Sequence, residues 1–117
     1  MTAKRKLLLV EDDPSTAKAI QFMYSRRGWD VTVAFTLKQG LLALAIETPE
    51  AIILDLMLPD GDGSDLLRQV KNLNLASRVV VTTGISDPDR LKDIQSLNPH
   101  GLLQKPVDFQ QLDTYLV

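Results

Sequence analysis

The stretch Ala51-Ile52-Ile53-Leu54-Asp55-Leu56-Met57-Leu58-Pro59-Asp60-Gly61-Asp62-Gly63 decides how the rest of the chain is read. Four consecutive apolar residues carry a single carboxylate, Asp55, to the end of their run, and a turn-rich acidic loop follows. A solid apolar run suits a strand covered on both faces, as in a parallel sheet. A carboxylate at the C-terminal tip of such a strand is where open α/β sheets place their chemistry. Alone, Asp55 is ambiguous between loop decoration, metal ligand and nucleophile. What else converges on it decides between them.

The same kind of run recurs at Lys6–Val10, Val31–Phe35, Val79–Thr82 and Leu102–Gln104, separated by stretches with helical spacing. Asp13-Pro14 opens a first helix, with Asp as cap and Pro at the first helical position. Ala17, Ile20, Met23 and Tyr24 fall on one face of it, and Gly28 stops it. Thr36 caps a second helix with Leu37, Leu41, Leu44 and Ala45 inward, closed by Pro49. Gly63-Ser64 opens a third, with Leu66, Leu67, Val70 and Leu73 apolar. Asp87-Pro88 opens a fourth, with Leu91, Ile94 and Leu97 inside and Pro99 and Gly101 at its end. Asp108 caps a fifth containing Phe109, Leu112 and Leu116. Five strands alternating with five helices predict an α/β fold with a doubly wound parallel sheet.

The 117 residues read as one domain, residues 1–117, large enough to bury a core without staples. The sequence contains no cysteine, which excludes disulfides and thiolate metal sites. A net charge of −2 gives no general reason to bind nucleic acid, and Lys4-Arg5-Lys6 reads as a solvated strand start. No apolar run is long enough to cross a bilayer. Met1–Lys6 is basic, but Leu7-Leu8-Leu9-Val10 is too short for a signal-peptide core. A cytoplasmic protein is the expectation. The acidic residues cluster: Glu11-Asp12-Asp13, then Asp55, Asp60, Asp62 and Asp65.

In a parallel sheet every strand's C-terminal end points to one edge. Strand one ends at Glu11-Asp12-Asp13, strand three at Asp55, strand four at Thr82-Thr83-Gly84 and strand five at Lys105-Pro106. Carboxylates distant in sequence thus gather around one crevice, with a hydroxyl and an ammonium at its rim. Close carboxylates repel and need a cation or a proton. Oxygen ligands without His or Cys favour a hard ion such as Mg²⁺. Asp13 is read as a helix cap, and Glu11 and Asp12 as the metal site.

Taken in order, Val10-Glu11-Asp12-Asp13, Asp55-Leu56-Met57-Leu58-Pro59 with its glycines, Thr83-Gly84 and Lys105-Pro106 resemble the receiver domain of bacterial two-component response regulators. The resemblance covers essentially the whole chain. It implies a flavodoxin-like (βα)5 sheet in strand order 2-1-3-4-5. It implies Asp55 as acceptor of a phosphoryl group from a phosphohistidine of a sensor kinase or phosphotransfer protein. Asp12 and Asp55 would ligate Mg²⁺ directly, Glu11 through water, and Met57 through its backbone carbonyl. The Thr83 hydroxyl and Lys105 ammonium would meet the phosphoryl group, and Pro106, whose preceding bond is often cis in the family, would aim Lys105. The implied readout face is helix four, strand five and helix five, toward a downstream output domain or protein, with a homodimer through that face as one option. Such a chain catalyses its own phosphorylation and dephosphorylation without being an enzyme in the ordinary sense. Physics agrees on the chemistry: phosphoryl transfer asks mainly for positioning and cations, and carboxylates serve as its nucleophiles.

Three positions depart from the family pattern. Leu102 stands where an aromatic residue is usual three before the lysine. Met57 and Ile85 are apolar at the positions flanking the path of hydrolytic water, which implies slow self-dephosphorylation. The competing readings are a degenerate receiver acting as a phosphorylation-independent interaction module, a haloacid-dehalogenase-like hydrolase and a flavodoxin-like cofactor binder. The hydrolase needs Asp where Met57 stands, and Glu11-Asp12-Asp13 would repel a cofactor phosphate. His100, between Pro99 and Gly101, reads as a turn residue, and Trp29 and Tyr24 as core aromatics. Whether the receiver stands alone or belongs to a longer regulator or hybrid kinase is left open by the residues.

Overall fold

The computed structural model describes residues 4–116, so residues 1–3 of the basic N-terminal stretch, and residue 117, lie outside the description. Five strands form one parallel sheet: β1 (Arg5–Val10), β2 (Trp29–Ala34), β3 (Ala51–Asp55), β4 (Arg78–Thr83) and β5 (Gly101–Gln104). Their spatial order is β2-β1-β3-β4-β5, the order expected from the resemblance. The order reverses at β1, so the crevice beside the tips of β1 and β3 is the topological switch point.

Five helices alternate with the strands: α1 (Pro14–Arg26), α2 (Leu37–Ile46), α3 (Ser64–Asn72), α4 (Pro88–Ser96) and α5 (Phe109–Leu116). The expected caps are made. Asp13 accepts from the Thr16 N–H at 3.0 Å, Thr36 from the Gln39 N–H at 3.0 Å, Asp87 from the Asp89 N–H at 3.1 Å and Asp108 from the Gln110 N–H at 2.9 Å. Each satisfies a donor that the helix leaves without an internal partner.

The sheet separates two cores. Leu8, Val10, Ile52, Leu54, Val79 and Val81 face one side, packed by Leu44, Leu66, Leu67, Val70 and Ile94 from α2, α3 and α4. Leu7, Leu9, Ile53 and Val80 face the other, against Ala17, Ile20, Tyr24, Leu112 and Leu116 from α1 and α5. Alternation across each strand explains why the runs read as solidly apolar: both faces are covered. Trp29 and Tyr24 are both buried, as read. Tyr24 also ties α1 to α5 through a hydroxyl that donates to Asp113 Oδ1 at 2.6 Å, and burial followed by this bond holds its pKa above the ordinary value.

One side chain read as inward is not. Ala45 is exposed and Gly40 is buried in its place. A Cβ on Gly40 would come within 2.9 Å of Leu66 Cδ1 and 3.2 Å of Val10 Cγ2, so α2 approaches β1 and α3 through its glycine and turns Ala45 outward. Leu73, just past α3, and Phe109, the first residue of α5, are also exposed, because each sits at a helix end beyond the sheet's cover. The loop after Asp55 is more ordered than a turn-rich stretch suggests. Met57–Leu58 and Gly61–Asp62 pair as a short antiparallel hairpin.

Candidate functional site

Ladder hydrogen bonds carry the site residues one step past their strands. The Glu11 N–H donates to the Ala34 carbonyl at 3.0 Å, and the Lys105 N–H donates to the Thr83 carbonyl at 2.7 Å. Asp55 is itself the last residue of β3, paired in register with Thr82 of β4. Backbone pairing, not side-chain preference, therefore brings these groups to one edge. The Lys105–Pro106 peptide bond is cis.

Glu11, Asp12 and Asp55 converge, with one carboxylate oxygen from each lying within 4.8 Å of the others. Glu11 and Asp55 are both 3% exposed, whereas Asp12 faces solvent at the rim. The Lys105 ammonium donates to Glu11 Oε1 at 3.0 Å and to Asp55 Oδ2 at 2.9 Å. The second oxygen of Asp55, Oδ1, accepts the Met57 N–H at 3.1 Å.

The charges do not balance. Fully ionised, three carboxylates against one ammonium leave two negative charges in the crevice. Glu11 registers the deficit: burial first, then its neighbour Asp55, push its pKa up to about 7, with Lys105 pulling the other way. For Lys105, burial works to lower the pKa, but bonds to Asp55 and Glu11 outweigh it and hold the ammonium above its ordinary value. A divalent cation would cancel the two charges, and the donors are all hard oxygens. The residues present therefore fit Mg²⁺.

Gly63 is a contributor that the residue types did not announce beyond its place at a helix start. A Cβ there would lie 2.2 Å from the Asp55 carbonyl oxygen and 2.9 Å from Leu56 Cα. Its N–H donates to the Leu56 carbonyl at 2.8 Å. The loop thus folds back flat against the backbone of Asp55, an approach that only glycine allows. The sequence signal was an acidic loop ending in Gly at the start of an apolar helical pattern.

Other expected members have different partners. Thr83 is fully buried on the neighbouring strand end, and its Oγ1 accepts the Ile85 N–H at 3.0 Å. The Met57 side chain is 62% exposed, and its backbone N–H is the group that meets Asp55. Leu102 and Ile85 are partly buried against the core on the α2–α4 side. The remaining acidic residues leave the crevice. Asp60 accepts the N–H groups of Leu37 and Lys38 at 2.7 and 3.0 Å, and these bonds hold its pKa below the usual carboxylate range. Asp62 accepts the Ser64 N–H at 2.9 Å and pairs with Arg90, and Asp65 pairs with Arg68. His100 is a turn residue as read, and it joins its turn to β4 by two bonds. Its N–H donates to the Val79 carbonyl at 2.8 Å and its Nδ1 accepts the Val79 N–H at 3.0 Å.

Comparison with known proteins gives a consistent picture. The family model described as the response regulator receiver domain matches residues 7–117. The KDP operon transcriptional regulatory protein KdpE of Escherichia coli is 30% identical over 94% of this chain and 48% of its own length. The chain spans about half the length of the first curated relatives it matches. Among solved structures, the receiver domain of a Francisella response regulator superposes with a TM-score of 0.83 at 26% identity, covering 92% of this chain and 89% of that one. A CheY-like receiver domain protein from Methanospirillum hungatei shares the fold at a TM-score of 0.90 and 22% identity, covering 97% of this chain and 91% of that one.

Proposed function

The chain belongs to the response regulator receiver family of two-component signal transduction, and from that premise we propose that Asp55 is its phosphoryl acceptor. The observation that carries this reading is the convergence of Glu11, Asp12 and Asp55, with the Lys105 ammonium bonded to Glu11 and lying 2.9 Å from Asp55 Oδ2. Receiver domains of this family use Mg²⁺ at an acidic pocket. Here Asp12 and Asp55 would hold the ion directly, Glu11 through water and Met57 through its carbonyl. When bound, Mg²⁺ supplies positive charge against the phosphoryl oxygens.

The residues of the crevice then divide the chemistry. The Met57 N–H and the Lys105 ammonium hold the Asp55 carboxylate at both oxygens, which fixes its orientation. An Asp55 oxygen forms the new O–P bond as the P–N bond of the donor phosphohistidine breaks, and the departing imidazole nitrogen takes up a proton. Lys105 stays beside the transferred group and offsets its charge. Thr83 has an O–H proton to donate, because its oxygen already accepts from Ile85. Being fully buried, it reaches a phosphoryl oxygen when the turn of residues 83–85 shifts. That shift is the signal, delivered to α4 and to an output domain or protein. A sensor kinase or phosphotransfer protein is the donor, which places this unit in the cytoplasm. Residues 1–117 act as one receiver unit.

Incubation with acetyl phosphate tests the core of this reading. Intact mass is expected to rise by one phosphoryl group with Mg²⁺, and to stay unchanged with EDTA or in Asp55→Asn. Phosphoryl incorporation by Asp55→Asn at the wild-type rate would overturn it. Met57 and Ile85 place no polar group beside the acceptor to orient a water, so the phosphoprotein should last minutes or longer. A lifetime of seconds after donor removal would defeat that expectation.

A further inference from the structure

We propose that the Asp62–Arg90 ion pair couples the acidic crevice to helix α4, so that phosphorylation of Asp55 and the seating of α4 oppose each other. This coupling rests on the reading of Asp55 as acceptor.

The connection can be followed group by group. Asp55 Oδ1 accepts the Met57 N–H at 3.1 Å. Met57 lies opposite Asp62 in the hairpin. Asp62 divides its carboxylate: Oδ1 accepts the Ser64 N–H at the start of α3, and Oδ2 meets the Arg90 guanidinium. Arg90 stands in the first turn of α4; its side chain is 27% exposed and that of Asp62 43%, so the pair is a half-buried contact. The hairpin that touches the acceptor is therefore held to α4 by a charged contact between residues 28 apart in sequence.

Helix α4 is placed to respond. Among the described residues it buries one side chain fully, Ile94, whereas α3 beside it buries Ser64, Leu66, Leu67 and Val70. A helix with so little apolar anchorage depends on its remaining tethers. Among these are the Arg90 pair and the loop before it, where the Ile85 carbonyl accepts from Gln104 Nε2 at 3.0 Å. Conversion of the Asp55 carboxylate to an acyl phosphate changes the acceptor that holds Met57, so the hairpin reseats and carries Asp62 with it. A contact made before phosphorylation and disturbed by it resists phosphorylation in return, at equilibrium by linkage and in rate because the contact is already lost in the transition state.

The test combines rate and exchange. Wild type, Arg90→Gln and Arg90→Lys are phosphorylated with acetyl phosphate and Mg²⁺, followed by intact mass and by amide hydrogen exchange of residues 84–96. Wild type should gain exchange in that segment on phosphorylation. Unmodified Arg90→Gln should already show the faster exchange, change little further, and accept phosphate about 5-fold faster, the lower end of ordinary coupling. Arg90→Lys, which keeps the charge, should stay near wild type. Asp62→Asn, which keeps the acceptor for Ser64, should repeat the Arg90→Gln behaviour and guards against a folding effect at Arg90. Coupling is overturned if both neutral variants take up phosphate at or below the wild-type rate with the wild-type exchange response. If wild type itself gains no phosphoryl mass, the reading of Asp55 fails and the coupling falls with it.

Discussion

Two sets of acidic residues sit at the same edge of the sheet and are used in opposite ways. Glu11, Asp12 and Asp55 converge, and Glu11 and Asp55 share a single ammonium. Asp13, Asp60, Asp87 and Asp108 each face backbone N–H groups at the start of a helix. The second set is satisfied by the fold itself, because helix starts offer unpaired donors and a favourable dipole. The first set has no such partner and, when fully ionised, carries two uncompensated negative charges. An unbalanced group of carboxylates, two of them buried, costs stability, which is why we propose it as the place for a cation and a phosphoryl group. Asp62 belongs to both worlds, capping α3 with one oxygen and holding Arg90 with the other.

The distinction can be broken most directly at Asp12. Asp12→Asn removes one repelling charge from the crevice. The metal-free protein should melt higher than wild type, while Mg²⁺-dependent phosphorylation should fall by about 10-fold or more, as loss of a metal-supporting group typically does. Thermal melts in EDTA and in Mg²⁺, alongside phosphorylation rates, check both halves. A lower metal-free melting temperature would mean that the three carboxylates are not in repulsion.

Asp60 should behave in the opposite sense. Asp60→Ala strips α2 of the acceptor for Leu37 and Lys38, so the melting temperature should drop by about 4 °C, the scale of a lost cap in a domain of this size. The rate of phosphorylation should not change. If the rate changes with the melting point, the two sets are not separable.

The smallest effect is expected at His100, which satisfies backbone groups with an imidazole instead of a carboxylate. Burial first, and then the charges of Lys71 and Arg78, hold its pKa below the ordinary 6.5. The unfolded chain therefore binds a proton before the folded one does. The stability this provides is fully present above about pH 6.5 and is lost as pH falls through the lower folded value. His100→Asn, which keeps an acceptor near the Nδ1 position, should flatten this part of the pH profile. Chemical denaturation between pH 7.5 and pH 5 measures it, and equal slopes for the two proteins would count against the assignment.

Much of this was legible from the residues. Helix starts were readable because a cap and the N–H it serves lie two or three positions apart, and Asp13, Thr36, Asp87 and Asp108 all make the expected bond. The five apolar runs were readable because a covered strand needs apolar residues on both faces. The inward set of α2 was misread at Ala45, since helical spacing alone cannot tell that Gly40 is the point of closest approach to Leu66 and Val10. Asp60 and Asp62 looked like companions of Asp55, and composition could not show that one caps α2 and the other reaches α4.

What the sequence determined by itself, then, is what neighbouring residues decide among themselves: strands, helices, caps, and a carboxylate at a strand tip. The tertiary structure decided which charges meet. Lys105 reaches Asp55 and Glu11 across 50 and 94 positions of chain, and Arg90 reaches Asp62 across 28. Such meetings depend on strand order and register, which are set by the packing of two cores on one sheet. The physical reason is one of range. Capping and periodicity act within a turn of helix, whereas convergence of charge is fixed by contacts whose partners are named only when the whole chain has folded.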